Sequence, residues 1–326
     1  MKKLFPVLLF VFTCLTLSAQ FAAQSDPAGG YFRMKTAFRN SPDIIALWDA
    51  KTKFPMSLFI RASTGKPAFP GEKKTTPASV NVFLFKSKDD IVLIDAGYGA
   101  CHNVMQRSGI MERDITAVML THVHPDHIGG LLTETGTAAF PNAHVYLSEP
   151  EHQALQDEKY KMHAPWQKVA GAYGDRIKTF RYGQKDLPGG LEAVEAPGHT
   201  PGHTVFRRTN IFRLKDGSDD SEAKLQQVKR QDIWFIGDLL HAAGVQFADP
   251  DICAKFDADP KQAVASRKKI LSLVERGAVV MKEEDGGICP AILPSLLCGA
   301  HLPFPGIGRI TVSLDNKGFD YAGAVQ

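Results

Sequence analysis

The sequence predicts a single α+β domain that presents a histidine- and aspartate-rich site at the ends of its strands. Three observations point there. Short apolar or β-branched runs at 79–85, 91–95, 115–120, 191–196 and 232–236 are each bounded by turn-forming residues, the signature of strands. Helical candidates at 103–111 and from Leu131 onward interrupt them. Side chains able to hold a metal follow the last three runs directly.

In chain order, the first residues stand apart. Lys2 and Lys3 precede an apolar run from 4 to 17, followed by Ser18 and Ala19. This is the charged, hydrophobic and small-residue order of a cleaved secretory signal, with 1–19 as the leader. The run is shorter than the roughly 20 residues that span a bilayer, so no stable membrane insertion is expected. A linker, 20–30, leads to one hydrolase-sized domain, 31–326, because no repeat or low-complexity tract divides the rest. Export would make the mature chain secreted or periplasmic. In that oxidising setting Cys289 and Cys298, flanking a proline-containing segment, are the candidate disulfide, against the alternative of unpaired buried cysteines. The 38 Lys and Arg nearly balance 35 Asp and Glu, and losing Lys2 and Lys3 lowers the formal charge from +3 to about +1. That balance argues against a nucleic-acid partner.

The chemistry is concentrated after the strand at 115–120, where residues 121–130 read THVHPDHIGG. His122 and His124 are two apart, so an extended backbone can turn both imidazoles to one side, while a turn at Pro125 brings Asp126 and His127 around a neighbouring point. That arrangement suits two adjacent divalent cations. Imidazole and carboxylate without thiolate suit zinc first, and also permit manganese, cobalt or iron. Gly129 and Gly130 permit a tight turn into the helix expected from Leu131. After 191–196 comes PGHTPGHT, in which His199 is the ligand candidate and His203 a supporting hydrogen-bonding residue. Beyond 232–236, Asp238 can bridge two cations, and His241 can hydrogen-bond near them. His301 opens HLPFPGIG, another turn-rich loop.

These seven candidate ligands, with the HxHxDH run, the PGHTPGH histidine, the GD aspartate and the late histidine, resemble the metallo-β-lactamase fold superfamily of metal-dependent hydrolases. The resemblance covers nearly the whole mature chain. It implies an αββα sandwich, two mixed sheets packed face to face with helices outside and a dinuclear site at one edge. It also implies that His122, His124 and His199 hold one metal and Asp126, His127 and His301 the other, that Asp238 bridges them, and that Asp95, in IDAG, supports the site from behind. YFRM at Tyr31, FPNAHV at Phe140, GDLLHAAGVQFADP at Gly237, RKK at Arg267 and HLPFPGIGRI at His301 are similar to methyl parathion hydrolase and related secreted lactonase-like enzymes. Two segments depart from that pattern, the charged 216–231 and the long 282–298, and either could reshape a pocket mouth. The tyrosine of the lactonase branch has no clear counterpart among Tyr98, Tyr160, Tyr173 and Tyr182. A homodimer is implied by the resemblance alone.

Paired cations lower the pKa of a bridging water, so that hydroxide is available near neutral pH, and they polarise the electrophile. Asp126 and Asp238 are the carboxylates of such a centre: Asp126 would orient the hydroxide and handle its proton, and Asp238 would act first as a ligand. Phe140, Phe247, Leu302 and Phe304 are the apolar candidates for pocket walls, with core packing the alternative for each. A nearly neutral, aromatic pocket suits a small uncharged or hydrophobic substrate: an aryl ester, a lactone or a neutral organophosphate triester. β-Lactam or other hydrolysis on the same fold and a non-catalytic binding module are the competing readings.

Overall fold

The computed structural model describes residues 23–26, 28–35, 43–213, 228–276, 291–292 and 294–324. The expected leader 1–19, part of the linker, most of the charged 216–231 segment and the stretch of 282–298 that holds Cys289 lie outside the described residues. Cys298 is buried and carries no disulfide among the described residues.

Eight strands form the first sheet: β1 (Ala23–Ser25), β2 (Tyr31–Met34), β3 (Ile44–Pro55) and, after β4 (Phe59–Arg61) leaves the layer, β5 (Thr75–Lys86), β6 (Ile91–Ile94), β7 (Ala117–Met119), β8 (His144–Ser148) and β9 (Ile177–Phe180), neighbours in that order. Pairing is antiparallel as far as β6 and parallel from β6 to β9. The second sheet holds β10 (Leu191–Glu195), β11 (Thr204–Arg213) and β12 (Val228–Phe235). After β13 (Ile252–Ala254) pairs with β4, it continues through β14 (Ala291–Ile292), β15 (Leu296–Cys298), β16 (Ile307–Val312) and β17 (Phe319–Gly323). Both β14 and β15 run parallel to β12.

The apolar runs lack the alternation of a half-wet strand because both faces of each sheet are covered. On β5, Phe83 and Phe85 join the core between the sheets, while Val82 and Leu84 face the helices. On β12, Ile233 and Phe235 meet that central core, with the rings of Phe85 and Phe235 stacked 5.7 Å apart, while Trp234 turns outward. The outer face of the first sheet is covered by α1 (Cys101–Arg107) and, beyond α2 (Pro125–Ile128) and α3 (Glu149–Ala154), by α4 (His163–Tyr173), which buries Trp166, Val169 and Tyr173 at helical spacing. The outer face of the second is covered by α5 (Pro260–Arg276) through Ile270, Leu271 and Val274. Asp259 caps α5, its carboxylate accepting the Gln262 N–H at 3.0 Å, just before a proline suited to a first helical position. Each buried large apolar side chain contributes on the order of 1.5 to 3 kcal/mol, and their distribution over three layers makes the αββα sandwich.

The strands fall close to their expected places. The helix expected at 103–111 begins earlier, at Cys101, and ends at Arg107, because Gly109 takes a left-handed φ of 86° that closes it. The helix expected from Leu131 is absent. Pro125 starts α2 six residues sooner, a single 3-10 turn spans Gly129–Leu131, and Leu131 is fully buried in the core.

Candidate metal centre

β7, β10, β12 and β15 all release their chains at one edge of the sandwich. His122 and His124 lie in the loop after β7, Asp126 and His127 in α2, His199 after β10, Asp238 after β12 and His301 after β15. Backbone ties hold these loops in register: Thr204 N–H donates to Thr121 O across the two sheets at 2.9 Å, and Asn81 N–H donates to Ala300 O at 2.9 Å.

The structure brings all seven ligand candidates together. Ligand atoms of His122, His124, His199 and Asp238 form one group, Asp126, His127 and His301 a second, and Asp238, His241 and His301 a third, each within 4.8 Å. His124 Nδ1 is 3.0 Å from His122 Nε2 and 2.9 Å from His199 Nε2. Asp238 lies between the groups, with Oδ2 3.3 Å from His199 Nε2 and 3.1 Å from His301 Nε2, and Oδ1 3.0 Å from His127 Nε2.

The far side of most rings is fixed by an acceptor, which sets the nitrogen that faces inward. His127 Nδ1–H donates to Asp95 Oδ2 at 2.8 Å, and His301 Nδ1–H donates to Ser79 O at 2.9 Å. His199 Nδ1–H donates to Asp257 Oδ1 at 2.7 Å. His122 Nδ1–H, at 3.1 Å, donates to Thr121 Oγ1, whose own proton goes to Asp95 Oδ2 at 2.8 Å. One carboxylate, Asp95, therefore braces a histidine of each group. His203 Nε2 accepts the Asp238 N–H at 3.0 Å, and its Nδ1–H donates to Ala196 O at 3.1 Å, so it holds the Asp238 backbone. Gly237 makes this approach possible: it has φ 49°, and a Cβ there would lie 2.8 Å from both His203 Nε2 and Thr121 Oγ1. His241 Nε2 is 3.1 Å from Asp238 Oδ2, and its ring stacks on His301.

Burial and neighbouring charges set the rings of the cluster apart in proton affinity. Burial pushes the His203 imidazole down to about 3, which keeps it neutral for its acceptor role. Burial, with the charge of His199, pushes His124 down to about 2. Burial also disfavours charge on His199, but hydrogen bonds and charge from Asp238 and Asp257 outweigh it and raise that ring to about 9. The raised His199 ring thus holds a proton on its inward Nε2, the nitrogen for which a cation would compete. The buried atoms His127 Nε2, Asp238 Oδ1 and His241 Nδ1 have no hydrogen-bond partner, the close approach of the first two notwithstanding, because their alignment is poor. Inward-facing, incompletely satisfied nitrogen and carboxylate donors without thiolate fit divalent metal ions, zinc foremost.

Above the cluster is a cavity of about 310 Å3, walled by Phe54, Pro125, Lys161, Met162 and Phe256 and floored by His124, Asp126, Asp238, His241 and His301. Phe54 meets His301 edge-on with ring centres 5.4 Å apart, and Phe256 meets His241 at 4.8 Å. A larger cleft of about 650 Å3 beside Tyr98 and His102 contains none of the seven ligand candidates. The wall residues expected from sequence need correction. Phe140 packs in the core under α4 and stacks on His102, Phe247 stacks on Tyr321, and Leu302 is fully buried in the outer core of the second sheet. Phe304 stacks on Trp48. Each fills space between layers and none lines the cavity. Nor does any of Tyr98, Tyr160, Tyr173 and Tyr182. Phe54, Phe256 and Asp257 escaped sequence reasoning, since a single aromatic near the end of a strand, or a single aromatic or acid in a loop, carries no period of its own; Phe256 and Asp257 together, after the GD loop, were the local signal.

With this geometry in view, the comparisons agree. Residues 75–210 match the family model described as the Metallo-beta-lactamase superfamily. Among curated relatives, the uncharacterized protein YobT of Bacillus subtilis (strain 168) is 32% identical over 152 residues, covering 42% of this chain and 64% of YobT. The chain spans less than two thirds of the length of the curated relatives it matches. Two solved structures cover 90% of this chain and 97% of their own, each with a TM-score of 0.66. They are hydrolase AbOPH of the beta lactamase superfamily, 26% identical, and AidC, a dizinc quorum-quenching lactonase, 24% identical.

Proposed function

We propose that this chain is a metal-dependent hydrolase of small uncharged or hydrophobic electrophiles, namely lactones, aryl esters or neutral organophosphate triesters, in the manner of methyl parathion hydrolase and the lactonase-like enzymes its motifs resemble. The observation that carries the reading is the position of a 310 Å3 apolar cavity directly over the histidine and aspartate cluster. Two divalent ions bound there would supply a hydroxide nucleophile near neutral pH and Lewis-acid polarisation of the electrophile.

The chain's own residues do the rest. Phe54, Phe256 and Met162 exclude water and receive an acyl chain or aryl ring. Asp126 is the most exposed carboxylate of the cluster, its side chain 17% accessible against 3% for Asp238, and it lines the cavity. It is placed to orient an attacking water and accept its proton. Lys161 at the rim offers a counter-charge to an acid product. The proposal includes export after loss of 1–19 and association as a homodimer, which intact mass and sedimentation of the mature protein test.

The deciding experiment is a parallel panel after zinc, manganese or cobalt reconstitution: dihydrocoumarin, acyl-homoserine lactones, methyl paraoxon, methyl parathion and a chromogenic β-lactam. Turnover of a lactone, aryl ester or phosphotriester is expected. Metal-loaded protein that hydrolyses only the β-lactam, or none of them, refutes the proposal.

A further inference from the structure

Glu151 is a carboxylate 1% exposed, in the short helix α3 that follows β8, and it touches neither the cavity nor a ligand atom. Its two oxygens are divided between two loops. Oε1 accepts the Val123 N–H at 3.3 Å, from the residue between His122 and His124. Oε2 accepts the Thr200 Oγ–H and the Gly202 N–H, both at 2.8 Å, from the residues that follow His199. Ser148 at the head of α3 adds to the second hold, its Oγ donating to Gly202 O at 2.7 Å. A Cβ on Gly202 would collide with the backbone of Glu151, so the His199 loop presses directly on the helix. The same two loops deliver His122, His124 and His199, whose inward nitrogens approach to 2.9 and 3.0 Å.

We infer that Glu151 is a positioning residue that sets the spacing of the His122, His124 and His199 ligand group by clamping both of its loops to α3. The inference rests on the metal-site reading above. The second group has other supports, since His127 is braced by Asp95 and His301 by Ser79 O. Burying a carboxylate is costly unless its oxygens are satisfied, and here three donors converge on one group that bridges segments far apart in sequence.

The chemistry of an amide makes the clamp separable from the fold. In Glu151→Gln, the amide oxygen can keep Thr200 and Gly202, but the NH2 group then faces the Val123 N–H, donor against donor. The link to the His122 and His124 loop is lost and the other is kept. Thr200→Val removes one donor from the opposite side and carries the test if the Gln variant does not fold.

The experiment titrates metal-stripped full-length protein with zinc against a chromophoric chelator, alongside thermal unfolding of the metal-free protein. Glu151→Gln is expected to weaken one zinc equivalent by about 10- to 100-fold while the other stays within about twofold, with Thr200→Val weakening the same equivalent less. Wild-type-like zinc binding in folded Glu151→Gln overturns the inference alone. So does equal weakening of both equivalents in step with a lower metal-free unfolding temperature, which marks an ordinary structural carboxylate. A wild-type chain that takes up no zinc overturns the metal-site reading and the inference with it.

Discussion

Replacing Asp257 by Asn changes one atom and reverses the logic of a ligand. In the native chain Asp257 Oδ1 accepts the His199 Nδ1–H at 2.7 Å, and Oδ2 accepts the Ala254 N–H at 3.0 Å. Its side chain is 1% accessible, and Arg267 lies 4.0 Å away. An Asn that keeps its oxygen toward His199 turns its NH2 against the Ala254 N–H. An Asn flipped the other way presents NH2 to His199 Nδ1, which must then accept, moving the ring proton to Nε2. That proton points at His124 Nδ1, 2.9 Å off, into the space a cation would fill. Either outcome forfeits a hydrogen bond to a charged group, about 1.5 to 3 kcal/mol, which is roughly a 10- to 100-fold loss of metal affinity. Zinc competition by a chromophoric chelator measures it, with circular dichroism to establish that the variant is folded. A folded Asp257→Asn that binds zinc within about twofold of wild type would falsify the tautomer argument.

Three further expectations follow from the packing. Gly130→Ala would drive a Cβ into the Ala96 carbonyl, so a loss of about 2 kcal/mol or more in urea unfolding is expected; an unchanged midpoint would show that the loop yields freely. Arg267→Met would strip donors from the carbonyls of Leu239, Pro250 and Ile252 and remove the guanidinium 4.0 Å from Asp257, for a loss of about 3 to 5 kcal/mol. A loss under 1 kcal/mol by the same assay refutes that account. Phe256→Ala should raise KM for an aryl or long-chain acyl substrate about tenfold with a smaller change in kcat, since it removes wall area and no ligand; an effect on kcat alone would contradict the assigned role.

Much of this site was legible because ligand chemistry and strand ends coincide in the sequence. HVHPDH follows the apolar run at 115–120, and a histidine or aspartate beyond a buried strand has few packing reasons to be there. The inner layer behaved differently. Asp257 meets His199 from 58 residues away, and Glu151 reaches back to Val123 and forward to Gly202. Single carboxylates in loops or short helices leave no periodic trace, and only the folded chain shows what they hold. The wall residues failed for a related reason. An apolar residue near a ligand in sequence is as readily core as cavity, and Phe247 and Leu302 went to the core of the second sheet. The start of α2 could have been placed from Pro125, a residue well suited to a first helical turn, in preference to the glycines after it.

The ligand groups draw on both layers of the sandwich: four of the seven candidates follow β7 of the first sheet, and three follow strands of the second. A cation seated among them is a rivet through the seam. Its grip therefore gauges how well the layers are aligned, and the seam continues into the core between the sheets, where the rings of Phe85 and Phe235 stack. A side chain swollen by one methylene in that stack, which offers the cation no donor atom, would push one layer against the other and be felt among the ligands as loosened metal.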